Sequence, residues 1–369
     1  AIGILDAVKA SGHVKDADFA NVVGRISFFC NAGIRFIEEL CKMRVFTNLW
    51  DRICKDRYGV QDPKMRRFRY GVQVNSLGLT SQQPENNVAR IIYEFLGVVL
   101  SKDARARSVQ LPAWNEALGL PRKWDQQWSL RLQQIMAFET DVLEYEDIFK
   151  GSEVITAKEK ELEEAADAEM AKIAEMGGLI PALESGYMKQ QLVESHSRKL
   201  QEIEMGGRTV VGVNKFVETE PSPLTSDLES SIYVVDPAVE AEQIRILNDY
   251  RSKRDRDKVS RSLDRLRTGI EKGENILELS IECAKAGVTT GEWGNALRDI
   301  FGEYRAPTGV SLAGGGKPHT TEAQKVNDRI MEISGKLGRN LKMLVAKPGL
   351  DGHSNGAEQI AVKARDVGI

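Results

Sequence analysis

Between residues 25 and 138 the chain switches three times from a short apolar run to a longer stretch of helical period. Residues 25–30 predict a short strand. Ile34, Ile37, Leu40, Cys41, Val45, Leu49 and Ile53 then recur at the three- and four-residue spacing of an amphipathic helix. Residues 67–74 predict a second strand. Pro84 stands near the first turn of the next helix, whose Val88, Ile91, Ile92, Phe95 and Val99 are expected to face inward. Residues 108–111 predict a third strand and residues 124–138 a third helix. Repeated βα units predict a parallel sheet, either closed as a barrel or open.

Past residue 153 the pattern changes. Leu162, Ala166, Met170 and Ile173 stand at helical spacing in a stretch rich in Glu, Lys and Ala, and Gly177-Gly178 stops that helix. A second helix is expected over residues 187–203, a brief β segment over 209–213 and a linker over 218–231. Residues 237–300 predict helices again, including a pair over 276–286 and 290–301. In the charged stretch 251–267 and just beyond it, Val259, Leu263, Leu266 and Ile270 share one face. Its Asp residues dilute the basic charge, so it reads as a solvated linker helix rather than a nucleic-acid arm. Residues 306–321 hold Gly314-Gly315-Gly316 and no period, which predicts a loop.

The last segment carries the most specific chemistry. Residues 343–346 are apolar and predict a strand, which runs into a Gly-rich loop and then an amphipathic helix. The loop holds Asp351, His353 and Gly356 in the spacing Asp-x-His-x-x-Gly. An imidazole is a common ligand for a borderline transition metal. A carboxylate bonded to its other ring nitrogen fixes the tautomer and raises its basicity. Asp351 is spaced for that role, with Lys347 to keep it ionised. Gly349, Gly352 and Gly356 allow sharp turns close to a bulky ligand. Ser354 or Asn355 can cap the helix, in which Ile360, Ala361, Ala364 and Val367 share a face suited to a sheet. Such a site lies beyond the carboxyl end of a strand, where open α/β sheets bind ligands.

Composition narrows the classes. The chain has 369 residues, enough for two or three domains, and a formal net charge of −3, so no global basic field draws it to nucleic acid or membranes. No apolar run is long enough to span a bilayer and no secretory signal opens the chain. Cys30, Cys41, Cys54 and Cys283 show no metal spacing and read as reduced thiols of a cytoplasmic protein. His13, His196 and His319 read as solvent-facing. The chain begins without Met and stops one residue past the Gly that ends its last helix, which suggests a piece of a longer protein.

The Lys347-Pro-Gly-Leu-Asp-Gly-His353 loop resembles the cobalamin signature of the B12-dependent acyl-CoA mutases. So do the stretches at 67–80, 83–87 (Gln-Pro-Glu-Asn-Asn), 109–121 and 211–215 (Val-Gly-Val-Asn-Lys), and nearly the whole chain can be laid on that family. The wording is closest to the branch acting on ethylmalonyl-CoA. Residues 72–76 and 145–152 depart from the methylmalonyl-CoA pattern. The resemblance implies an α/β fold in three parts: residues 1–152 as the closing part of a TIM (β/α)8 barrel, 153–338 as a helical linker region, and 339–369 as the first β-loop-α unit of a flavodoxin-like cobalamin-binding domain.

It also implies adenosylcobalamin as cofactor, with His353 ligating cobalt and Lys347, Asp351 and Gly356 around it. Gln110 matches a position facing the corrin and deoxyadenosyl group, Glu139 one that holds the adenosyl ribose, and Arg69 one that contacts CoA. The implied reaction is a radical rearrangement of an acyl-CoA, (2R)-ethylmalonyl-CoA to (2S)-methylsuccinyl-CoA, by a homodimer. Methylmalonyl-CoA or isobutyryl-CoA as substrate, and a non-catalytic cobalamin carrier, are the alternatives. The family's substrate-facing Tyr, Arg and His match no segment of this chain, so the catalytic residues are unassigned and the polypeptide alone is expected to be inactive.

Overall fold

The computed structural model describes residues 1–225, 232–304, 321–346 and 355–369. The chain forms two compact units, residues 234–306 and the remainder.

The larger unit is α/β. Helices α1 (Ile2–Ser11) and α2 (Asp16–Val23) precede strand β1 (Phe28–Ala32), helix α3 (Phe36–Asp56), strand β2 (Tyr70–Val74), helix α4 (Asn86–Val99), strand β3 (Ser108–Gln110) and helix α5 (Lys123–Phe138). The strands form one parallel sheet in the order β1-β2-β3, with Phe28 opposite Tyr70 and Gly71 opposite Ser108. Exposure alternates along every strand. Ala32, Tyr70, Val72 and Val74 are buried on one face, while Phe29, Asn31, Ser108 and Gln110 are exposed on the other. Ala32, Tyr70 and Val72 pack against Met43 of α3 and Val98 of α4, and Val74 packs against Ile91 and Phe95 of α4. Each such side chain contributes about 1.5–3 kcal/mol of burial.

The first strand begins later than the pattern predicts. The amides of Arg25 and Ile26 bond back to Val22 and Val23 and finish α2, so pairing starts at Phe28. Helix α3 is buried on two sides. Met43 faces the sheet, while Leu40 and Cys41 pack on Ile155 of α6 (Glu153–Glu175). A short α7 (Leu179–Glu184) leads to α8 (Tyr187–Glu204).

Residues 209–213 form a tight turn with one isolated bridge, Val211 to Lys215, instead of the predicted β segment. Asn214 is the reason. Its side chain accepts from the Val210 amide at 2.8 Å and donates to the carbonyls of Ile203 and Arg208, both at 2.7 Å, so the turn closes on itself.

Residues 341–346 pair with no strand among the described residues, and Leu344 is 90% exposed, so the strand predicted over 343–346 is not formed. A lone parallel strand has no ladder to satisfy its backbone. The helix after it does form. We label α13 (Thr321–Leu337) and α14 (Asn355–Asp366) after the helices of the second unit. Ile360 is exposed, and the buried residue of α14 is Val362, against Val193 of α8. The Asn327 side chain donates to the Val367 carbonyl at 2.9 Å, so α14 packs on helices rather than on a sheet.

The smaller unit is helical: α9 (Pro237–Lys253), α10 (Arg256–Glu271), α11 (Ile276–Ala286) and α12 (Thr290–Phe301). The charged stretch breaks at Asp255, whose carboxylate accepts from the Lys258 amide and caps α10. Leu266, Leu279, Cys283 and Ala296 form the unit's core. Among the described residues no helix is long and apolar enough to cross a membrane.

Candidate functional site

The residues at the carboxyl ends of β2 and β3 are tied into one network. After β2, Asn75 accepts from the Leu77 amide at 2.9 Å and caps a short 3-10 turn over Ser76–Gly78. Asn87, on the first turn of α4, is fully buried. Its carboxamide oxygen accepts from the Thr80 amide at 3.0 Å. Its nitrogen donates to the Thr80 and Trp114 carbonyls, both at 2.9 Å. One side chain therefore joins the loop after β2 to the loop after β3.

Arg90 extends the network. It donates to Thr80 Oγ1 at 2.8 Å, to Asn87 Oδ1 at 2.7 Å and to the Val211 carbonyl at 2.8 Å. Gln83 donates to the Phe216 carbonyl at 2.9 Å. Two neighbouring stretches, 76–80 and 83–90, thus converge here with two more distant ones, 114–115 and 211–216. Beyond Trp114 the network ends on Asp125, which accepts from Trp114 Nε1 and Asn115 Nδ2, both at 2.9 Å, and from Arg122. Burial alone raises the Asp125 carboxyl, but the hydrogen bonds from Arg122 and Trp114 outweigh it and hold the group below the usual carboxylate range.

Glu94 lies one helical turn beyond Arg90 and is 1% exposed. Its Oε2 has no hydrogen-bond partner among the described residues, and its carboxyl is pushed up to about 8, first by burial and then by the charge of Glu39, against Lys199 and Arg90. Burial in turn lowers the Arg90 guanidinium, with Glu94 opposing.

The inner face of α4 differs from the apolar stripe expected of it. Asn87, Arg90, Ile91, Glu94, Phe95 and Val98 are buried, whereas Val88, Ile92 and Val99 are half-buried. Three inner positions are polar, so a search for apolar residues alone passes over them. The signal was the spacing of Asn87, Arg90 and Glu94 alongside Ile91, Phe95 and Val98.

Among the described residues, those singled out from the sequence are not brought together. Gln110 ends β3 on the exposed face of the sheet, where the register sets it opposite Gln73 and Gln73 opposite Asn31. A row of three carboxamides therefore crosses the strands, and the sequence reading named one of them. Arg69 precedes β2, at the opposite end of the strand. Its guanidinium donates to the backbone carbonyls of Gly24 and Lys64. Glu139 caps the C-terminus of α5 and is exposed. No hydrogen bond or ion pair links these three among the described residues. Gly356 stands at the start of α14 with open space around it. Lys347, Asp351, His353 and His319 lie outside the described residues, and His13 and His196 are exposed. Among the described residues no three His, Cys, Asp or Glu side chains are grouped as a metal would require. An apolar cavity of about 900 Å³ between β1, α3 and α6, lined by Phe28, Phe29, Trp50 and Met170, contains none of the predicted site residues.

Residues 9–303 match the profile of methylmalonyl-CoA mutase. The chain belongs to the methylmalonyl-CoA mutase family. Within the family it is 56% identical over 369 residues to an ethylmalonyl-CoA mutase of Methylorubrum extorquens, covering all of this chain and 53% of that protein. It is 55% identical over 368 residues to an ethylmalonyl-CoA mutase of Cereibacter sphaeroides, covering 55% of it. A mitochondrial methylmalonyl-CoA mutase of Homo sapiens is 30% identical over 350 residues, 94% of this chain and 45% of that protein. The chain spans about half the length of the curated relatives it matches.

Proposed function

We propose that this chain is part of an isomerase that rearranges the carbon skeleton of an acyl-CoA with adenosylcobalamin, taking (2R)-ethylmalonyl-CoA to (2S)-methylsuccinyl-CoA. One observation carries the substrate choice. Identity to the two ethylmalonyl-CoA mutases is 55–56%, against 30% to the human methylmalonyl-CoA mutase. The departures at 72–76 and 145–152 agree with it.

In this reading the parallel βα units of residues 1–152 are the closing part of a TIM barrel, 153–338 a helical linker region and 339–369 the start of a cobalamin-binding domain. The whole protein would be a homodimer. The donor set fits cobalt. His353 would supply an imidazole nitrogen, Asp351 would orient the ring and Lys347 would keep the carboxylate charged. Gly356, with no neighbour among the described residues where a Cβ would stand, leaves room for a bulky ligand. The cofactor, when bound, supplies radical chemistry, and the protein supplies orientation and shielding from water. Gln110 and Glu139 would face the cofactor and Arg69 the CoA. Arg69 would need to exchange a backbone carbonyl for a phosphate, which a guanidinium binds more strongly.

The test has two arms. Cobalamin titrated into the full-length protein and into its His353→Ala variant should show base-off absorbance in the first and not in the second; identical spectra would remove His353 as the ligand. Assays of the full-length protein with ethylmalonyl-, methylmalonyl- and isobutyryl-CoA should give the highest kcat/KM with ethylmalonyl-CoA. A preference for either other ester would overturn the substrate assignment.

A further inference from the structure

The carboxyl of Glu94 has no role in the proposed chemistry, yet it occupies the centre of the packed face of α4. It is 1% exposed, and Oε2 has no hydrogen-bond partner among the described residues. A Cβ added to Gly78 would stand 3.1 Å from Oε1, so the loop after β2 presses its bare backbone against this carboxyl. The charged groups around it come from three helices. They are Glu39 of α3, itself paired with Lys42, then Lys199 of α8, and Arg90 four residues earlier on α4. Arg90 spends its donors on three uncharged acceptors, Thr80 Oγ1, Asn87 Oδ1 and the Val211 carbonyl.

We propose that Glu94 is a proton-controlled latch: as a neutral acid it leaves Arg90 free to hold the 210–216 turn onto the loop after β2, and as a carboxylate it draws Arg90 away and releases that turn. The physical basis is an asymmetry. A neutral buried acid tolerates missing hydrogen bonds at modest cost, whereas a buried carboxylate without a donor does not. The guanidinium of Arg90 lies at the i,i−4 position, where helical side chains meet. Glu39 cannot serve, because its charge opposes ionisation. Lys199 is exposed and must give up hydration to approach. Once Arg90 turns to Glu94, the Val211 carbonyl loses its donor, and the turn keeps its own bonds, the Asn214 bonds to Ile203 and Arg208, and the Gln83–Phe216 tether. The burial that makes the latch also sets its range, since the group titrates at about 8 rather than at 4.5.

This inference concerns the chain itself and stands apart from cofactor and substrate. Hydrogen exchange of the amides of Val210, Gly212, Val213 and Asn214 is to be compared between the chain and Glu94→Gln at matched pH. Glutamine keeps the shape of the neutral acid and cannot ionise. At pH 6.5 the two should exchange alike. At pH 9 the unsubstituted chain should lose about tenfold protection at these amides relative to Glu94→Gln, with helix α12 unchanged as an internal control. Equal protection at pH 9 would overturn the latch. Infrared difference spectra of the unsubstituted chain give a check that needs no variant. A buried protonated-carboxyl band should vanish between pH 7 and 9, and its loss near pH 4.5 would also overturn it.

Discussion

Arg90 donates to the Val211 carbonyl at 2.8 Å across 121 residues of chain. The same guanidinium holds Asn87, and Asn87 holds Trp114. Two βα loops and a distant turn are thereby fixed by two side chains on the first turns of one helix. Loops at the carboxyl ends of parallel strands are where α/β proteins place ligands, so rigidity here has functional weight.

Removing either side chain leaves backbone groups of the network without their side-chain partners. Asn87→Ala strands the Thr80 amide and two carbonyls. Arg90→Met strands the Val211 carbonyl and removes one of the two donors to the Asn87 oxygen. Each should destabilise the larger unit by about 2–4 kcal/mol, read as a lower denaturation midpoint at unchanged slope. Because the two residues touch, the double variant should cost less than the sum of the singles.

Gly212 has φ of +80°, and a Cβ there would stand 2.9 Å from Gln83 Cδ. Gly212→Ala should therefore strain the turn and push Gln83 off the Phe216 carbonyl. A loss of about 1–2 kcal/mol is expected, with amide exchange faster in 210–216 and unchanged in α3.

In the helical unit, Glu292 accepts from Arg254 and from the Thr289 amide, and its carboxyl is held down at about 2, first by the Arg254 hydrogen bond and against burial. Its folded value lies below the ordinary 4.5, so its contribution is present above pH 4.5 and fades as pH falls toward 2. Thermal unfolding of Glu292→Gln should show a shallower loss of stability across that window than the unsubstituted chain. Above pH 5 the variant should be the less stable of the two.

Asn31, Gln73 and Gln110 stand on the face of the sheet turned away from α3 and α4. Gln73→Leu and Gln110→Leu should change stability by no more than about 0.5 kcal/mol. The proposed function predicts that the same changes in the full-length protein lower turnover of ethylmalonyl-CoA. Unaltered kinetics for both would separate this row from the active site.

Cys54 is fully buried, and burial pushes its thiol up to about 12. Cys41 and Cys283 are buried and raised for the same reason. Mass spectrometry after brief alkylation of the native chain at pH 8 should find Cys30, the half-buried one, modified first and the other three spared until denaturant is added.

Much of the fold is legible in local pattern. Period-two alternation marks β2, and period-3.6 stripes mark α3, α10 and the pair α11–α12, because one buried face per element leaves its spacing in the sequence. The motif stretches at 83–87 and 211–215 were likewise visible as words. Their contact was not, since nothing local in Arg90 says that its donors end on Val211. Tertiary structure alone decided that three polar residues belong to the inner face of α4, where a buried Asn or Arg is stable only once its partners have assembled. It also decided that β1 starts at Phe28, where a neighbouring strand offers a ladder, that residues 341–346 form no strand, and that Gln110 is one of three amides in a row. The sequence by itself determined the family and most of the elements. The partnerships among buried polar groups came from the fold, because a hydrogen bond across 121 residues depends on where both ends are carried.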